Sequence, residues 1–148
     1  MIKTIIFDLG GVVVAPLGKP FIRECVEKLG IGWERLAVLM GKYEPQMQLG
    51  KISHIEFWKR ILREERKEVS ESILRRLWVD GYKKRANVNT ELHKLVKVLR
   101  KKYRVGMISN TQEPHTSYNR KRGVFAYFNP CLLSHKVGLR KPDQRIFK

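Results

Sequence analysis

The chain has 148 residues, 43% of them hydrophobic and 30% charged, the composition of one soluble globular domain with enough apolar material for a sizeable core. Its 31 Lys and Arg against 14 Asp and Glu leave a formal charge of +17, which draws polyanions. The basic residues recur on the polar positions of every helical segment and form no tail or stripe, so solvated helix faces are favoured over a nucleic-acid footprint. Cys25 and Cys131 stand far apart in sequence, with no CxxC pair or Cys/His cluster beside them, which argues against a zinc site or a disulfide framework and for reduced cytoplasmic thiols. Asp8 interrupts the opening apolar run, no cleavage pattern follows it, and no other stretch approaches the length of a membrane span. A cytoplasmic protein without a membrane partner is expected.

Residues 3–14 (KTIIFDLGGVVV) combine β-branched and aromatic residues with Gly10-Gly11, which predicts a buried strand ending near Asp8 and a glycine-permitted turn. After Pro16 and Pro20 the period changes to 3.6 and four amphipathic helices are predicted in succession. Phe21, Cys25 and Leu29 mark the first, stopped by Gly30; Trp33, Leu36, Ala37 and Met40 mark the second, stopped by Gly41. The third opens on a capping-box pattern from Ser53 to Glu56 and carries Ile55, Trp58, Ile61 and Leu62. The fourth begins near Ser70 with Ile73, Leu74, Leu77 and Trp78. Four helices with no intervening strand can bury these faces against one another as a small subdomain.

From Asn87 an alternating α/β pattern returns. Leu92, Leu95, Val96 and Leu99 define a helix ending in a basic run, residues 103–109 (YRVGMIS) a second buried strand, residues 114–123 a short helical or irregular piece, and residues 131–134 (CLLS) a third strand. Pro142-Asp143 looks like a helix start, with Ile146 and Phe147 opening its apolar face. One turn cannot hold itself, so the sequence reads as cut in mid-fold.

Three polar groups fall in loops that follow predicted strands, where open α/β sheets place ligands. They are Asp8 with Gly10 and Gly11, Ser109 with Asn110, and Lys141 within Arg140-Lys141-Pro142-Asp143. An aspartate at a strand's end can attack phosphorus and divide a hard displacement into two easier ones. Glycines let main-chain N–H groups approach an anion, the Ser109 hydroxyl and Asn110 amide can hold phosphoryl oxygens, and Lys141 can supply charge to the carboxylate and the transferring group.

FDLGGV at the first strand, a helical insertion, VGMISNT at the second strand and S-x-K-VGLRKPD near the end, in that order, resemble the haloacid dehalogenase-like (HAD) superfamily over essentially the whole chain, and specifically its DLGG-type branch. The resemblance implies an α/β, Rossmann-like parallel-sheet core, residues 1–16 and 86–148, with a four-helix cap of the C1 type inserted at residues 17–85. Leu49-Gly50-Lys51-Ile52 and Glu56-Phe57-Trp58 also look like this family's cap sequence. By the family's mechanism Asp8 is the nucleophile and, with the Gly10 carbonyl, a ligand of Mg²⁺. Gly11, Ser109 and Asn110 bind the substrate phosphate, and Lys141 orients and neutralises. The implied substrate is a small phosphorylated metabolite.

Two departures qualify that expectation. Family phosphatases carry a second Asp two residues after the nucleophile, as acid and then base; here that residue is Gly10, and losing a positioned acid/base costs about 10²- to 10⁴-fold. Glu24, Glu113 and His115 are the nearest substitutes in sequence. The acidic pair that completes the family's Mg²⁺ shell does not precede Lys148, so Mg²⁺ is expected to be weakly held, and self-association or a complementing C-terminal chain is expected of a truncated sheet. A 2-haloacid dehalogenase or other aspartate-ester hydrolase is the alternative within the fold, since halide needs no proton on leaving. A non-catalytic basic binding module is the alternative outside it. The four histidines are expected at incidental or solvent-facing positions, and Trp33, Trp58 and Trp78 in the packing of the helices, with Trp58 the one that could touch substrate.

Overall fold

The β-branched run at the start of the chain forms a strand because it can be paired from one side, and it is paired from one side only. In the computed structural model, which describes all residues from Met1 to Lys148, β1 (Thr4–Phe7) joins β2 (Arg104–Ser109), which joins β3 (Cys131–Leu133), in a three-stranded parallel sheet of order β1-β2-β3. Ile5 lies opposite Val105 and Phe7 opposite Met107; Met107 and Ser109 in turn face Cys131 and Leu133. The central strand is buried from Val105 to Ser109, as its continuous apolar run predicts. β1 departs from the buried strand expected: as an edge it leaves Ile6 44% exposed.

Between β1 and β2 the chain builds its helices. They are α1 (Gly18–Leu29), α2 (Trp33–Gln48), α3 (His54–Glu64), and a continuous run of α4 (Glu71–Arg75), a π-helical turn (Arg76–Asp80) and α5 (Gly81–Arg85). Phe21, Cys25 and Leu29 form the buried stripe of α1, and Gly30 ends it in the left-handed region. Gly41 does not stop α2. The helix continues through Pro45 to Gln48, burying Leu36, Leu39 and Met47 and leaving Ala37 exposed. Trp33, on the first residue of that helix, is 41% exposed and packs little. Only half of the capping box forms: Ser53 Oγ accepts from the Glu56 N–H at 3.1 Å, while the Glu56 carboxylate turns to Arg60 at 2.8 Å. Ile73 is likewise exposed, and Leu74, Leu77 and Trp78 carry the burial of the last helical run.

The remaining elements are α6 (Thr90–Leu99), α7 (Glu113–Lys121), the one-turn α8 (Ser134–Val137) and a 3₁₀ turn (Gln144–Phe147). Asn89 caps α6 by accepting from the Leu92 N–H at 3.0 Å, and Val96 is its buried residue; Leu95, predicted on the apolar face, is 48% exposed. Ser134, predicted as strand, opens α8. Asp143 accepts from the Arg145 N–H at 2.9 Å and caps a 3₁₀ turn where the first turn of a helix was expected.

Two apolar clusters result. One lies wholly among the helices of residues 21–78, around Phe57, Trp58 and Trp78, whose rings meet edge-on or tilted at 4.9–5.7 Å between centroids. The other gathers Leu9, Val13, Val14, Tyr82, Ala86 and the sheet with its flanking elements. The two connections between these bodies are tied to each other: the Ala15 N–H donates to the Asn87 carbonyl at 2.8 Å, and the Asn89 N–H to the Val13 carbonyl at 2.9 Å. A second contact seats the helices on the sheet. Gly50 has φ 72°, and a Cβ there would lie 2.4 Å from the carbonyl oxygen of His135 in α8, so no larger residue fits without displacing backbone. No helix is long and apolar enough to cross a membrane.

Candidate active site

The carboxyl ends of β1 and β2 bring together what the sequence separates by more than a hundred residues. Asp8 follows β1 directly. The Leu9 N–H donates to its Oδ1 at 2.7 Å, and Lys141 Nζ lies 2.7 Å from its Oδ2. Both groups keep access to solvent, the Asp8 side chain at 42% and that of Lys141 at 27%. The turn after Asp8 is held by the Leu9 carbonyl, which accepts from the amides of Val13 and Val14 at 3.0 and 2.9 Å. Gly11 occupies φ 76°, a conformation that a side chain would strain. The Gly10 carbonyl receives no hydrogen bond from the chain.

Lys141 is positioned through its backbone. Its N–H donates to Asn110 Oδ1 at 2.7 Å, and Asn110 Nδ2 donates back to its carbonyl at 2.9 Å. A reciprocal amide pair of this kind fixes the loop at the base of the ammonium group. Sequence reading assigns Asn110 to anion binding through its main-chain amide and gives no sign that its side chain clamps the lysine loop. Ser134 is another such residue: its buried hydroxyl accepts from the Thr111 N–H at 2.9 Å and donates to the Thr111 carbonyl at 3.0 Å, locking the loop after β2. It stands within the S-x-K pattern, and that pattern is the signal that could have singled it out. Ser109 is buried at the end of β2.

These loops form one end of a cavity of about 350 Å³ that runs up between the helices. Leu9, Gly10, Ser109 and Asn110 line that end; Phe21, Met40, Glu44, Gln48, Trp78 and Tyr82 line the rest. The tryptophan that reaches the cavity is thus Trp78, while Trp58 stays in the helical core. His115 corrects the expectation of a solvent-facing histidine. It is buried, with its ring stacked on Tyr82 at 3.7 Å and on Trp78 at 5.3 Å, and Gln112 Nε2 lies 2.8 Å from its Nδ1. Burial first, and the His54 charge second, lower its pKa from 6.5 to about 3, so its imidazole is neutral in ordinary buffers.

Of the three substitutes for the missing acid, His115 alone lines this cavity. Glu24 pairs with Arg85 at 2.9 Å, and Glu113 accepts from the Ser117 hydroxyl. No cluster of three His, Cys, Asp or Glu side chains capable of holding a metal occurs in the chain. Asp8 and the unclaimed Gly10 carbonyl are hard oxygen donors, the type that a divalent cation such as Mg²⁺ takes, but they supply only two of its six positions.

Among proteins of curated function, none matches the chain. Solved structures do. A HAD family enzyme from Bacteroides thetaiotaomicron superposes with a TM-score of 0.81 at 26% identity, covering 99% of this chain and 75% of that one. The same enzyme in complex with magnesium and inorganic phosphate gives 0.78 at 25% identity, covering 99% and 76%. A 2-haloacid dehalogenase from Pseudomonas syringae shares the fold at a TM-score of 0.57 and 21% identity, covering 99% and 70%. The family model for haloacid dehalogenase-like hydrolases matches residues 2–148. With Asp8 and Lys141 in contact at the carboxyl edge of a parallel sheet, and that match spanning all but the first residue, the chain belongs to the haloacid dehalogenase-like hydrolases.

Proposed function

We propose that the protein is a phosphomonoesterase acting on a small phosphorylated metabolite through an aspartyl phosphate on Asp8, with the helical body of residues 17–85 as a cap over the site. The observation that carries this reading is the Asp8–Lys141 contact of 2.7 Å, with Lys141 hydrogen-bonded through its backbone to Asn110 and with Leu9, Gly10, Ser109 and Asn110 lining the adjoining end of the cavity. A carboxylate poised against one ammonium has a free lone pair for attack and a nearby charge for the phosphoryl oxygens. The relative with bound magnesium and inorganic phosphate supports the same chemistry.

In the first step an Asp8 carboxylate oxygen bonds to phosphorus as the bond from phosphorus to the leaving alkoxide breaks. The alkoxide takes its proton from water, since no acid stands at Gly10. Ser109, the Asn110 amide and the amides around Gly11 hold phosphoryl oxygens, and Lys141 balances their charge. Water then attacks the aspartyl phosphate, releasing phosphate and regenerating the Asp8 carboxylate. Mg²⁺, when held by Asp8 and the Gly10 carbonyl, would supply further positive charge at the transferring group; with two protein ligands, it would be weakly held.

Gly10 favours one second reading, the displacement of halide by Asp8, because halide departs without a proton. Phosphate and halide release from a substrate panel separates the two, and Asp8→Asn should reduce either to background. Release of either product at the wild-type rate by that variant would refute Asp8 as the nucleophile.

A further inference from the structure

Away from the Leu9-Gly10 end, the cavity is lined by the apolar and aromatic side chains of Phe21, Met40 and Trp78, by neutral polar groups, and by one acidic residue, Glu44. Glu44 lies one turn beyond Met40 on the same face of α2, and both line the cavity. Its Oε1 accepts from Gln48 Nε2 at 3.0 Å, and Gln48 Oε1 accepts from Arg140 Nε at 3.1 Å, so the carboxyl is aimed by a chain of contacts that starts on the Lys141 loop. Glu44 Oε2 has no partner in the chain and forms no ion pair, and Arg140 is not among the cavity-lining residues. Burial raises the Glu44 pKa, against the Gln48 hydrogen bond and the Arg140 charge. The half-buried carboxyl thus presents to the cavity an oxygen that no protein donor occupies, available to accept from a bound molecule.

We propose that Glu44 selects the leaving group: it favours a small phosphomonoester whose alcohol portion carries a hydroxyl or another hydrogen-bond donor, and it rejects one that carries a second negative charge. This rests on the phosphomonoesterase reading of the Asp8 end. Two effects act together. A missing donor leaves a cavity acceptor unpaired, and an anionic substituent meets a like charge across a low-dielectric wall. The volume of about 350 Å³ lies at the small end of ligand pockets and suits a small phosphomonoester.

Glycerol 1-phosphate and 3-phosphoglycerate differ chiefly in a hydroxymethyl group against a carboxylate, and they form the test pair. The full chain, with Glu44→Gln and Glu44→Lys, is assayed for kcat/KM on both, and for thermal shift with the two corresponding non-hydrolysable phosphonates. Glu44→Gln is isosteric and keeps an acceptor for Gln48, and circular dichroism melting verifies its fold. The wild type should prefer the glycerol compound in both measurements; Glu44→Gln should narrow the ratio by about tenfold or more, and Glu44→Lys should invert it. An unchanged ratio in Glu44→Gln and Glu44→Lys, or no preference in the wild type, overturns the assignment. Preferential phosphonate binding without phosphate release would refute the phosphomonoesterase reading and leave the Glu44 assignment standing. Release with an unaltered ratio does the reverse, and neither release nor binding overturns both.

Discussion

At the scale of single residues, Gly10 carries the most specific expectation. A Cβ at this position meets nothing within 4 Å, and its φ lies outside the left-handed region, so an acidic side chain can be added without strain. Gly10→Asp should raise kcat on esters with poor leaving groups by about 100-fold, the lower end of what a positioned acid/base supplies. Alkyl and aryl phosphates compared before and after the substitution provide the check: the gain should be large for alkyl and small for aryl esters, whose alkoxides need less help. Asn110→Ala tests the positioning of Lys141. It removes both hydrogen bonds to the Lys141 backbone and should lower stability by about 1–2 kcal/mol. In a steady-state assay it should also depress kcat more than it raises KM, because the lysine's place relative to Asp8 is what loosens. Equal loss in both parameters would argue against that role.

At the scale of elements, the way the helices sit on the sheet depends on a few backbone contacts. Gly50 is both left-handed and pressed on the His135 carbonyl. Gly50→Ala should therefore destabilise by more than the roughly 1 kcal/mol expected for strain alone, with the loss visible as a lowered melting temperature. A melting temperature equal to wild type would show that the α2–α8 contact yields easily. The way α2 runs past Gly41 was not legible in sequence, because a helix-stopping glycine is overridden when the residues beyond it, here Met47, have a core to enter. The loss of Trp33, Ala37, Ile73 and Leu95 from the predicted apolar faces has a related cause: a 3.6 period gives a stripe, and the neighbouring element decides how wide a part of it is covered.

At the scale of the molecule, His115 links pH to folding. Its pKa is about 3 in the folded chain against the ordinary 6.5 of a free imidazole, so between these values the unfolded chain binds more protons. Stability from this group is complete above pH 6.5 and is lost progressively as pH falls toward 3. Melting temperature followed from pH 7 to pH 4 should decline, and His115→Gln should flatten that decline relative to wild type; parallel curves would show that other groups govern it. The charge of +17 acts over a longer range. It should draw phosphorylated substrates to the site, so KM should rise with ionic strength while kcat changes little.

The sequence by itself determined the parallel α/β class, most of the order of elements and the standing of Asp8 and Ser109 at strand ends. These depend on local periodicity and on short patterns at strand ends, which survive translation into structure because strands carry their last residues to one edge of the sheet. Tertiary structure alone decided the rest. It joined Asn110 to the Lys141 backbone, folded His115 between Trp78 and Tyr82, and turned Glu44 into the cavity. Each of those placements draws on contacts between segments distant in sequence: Asn110 with Lys141, His115 with Trp78 and Tyr82, and Glu44 through Gln48 with Arg140. No pattern within one helix or strand encodes them, because the contacts that complete each placement come from another element, as Arg140 does through Gln48 for Glu44.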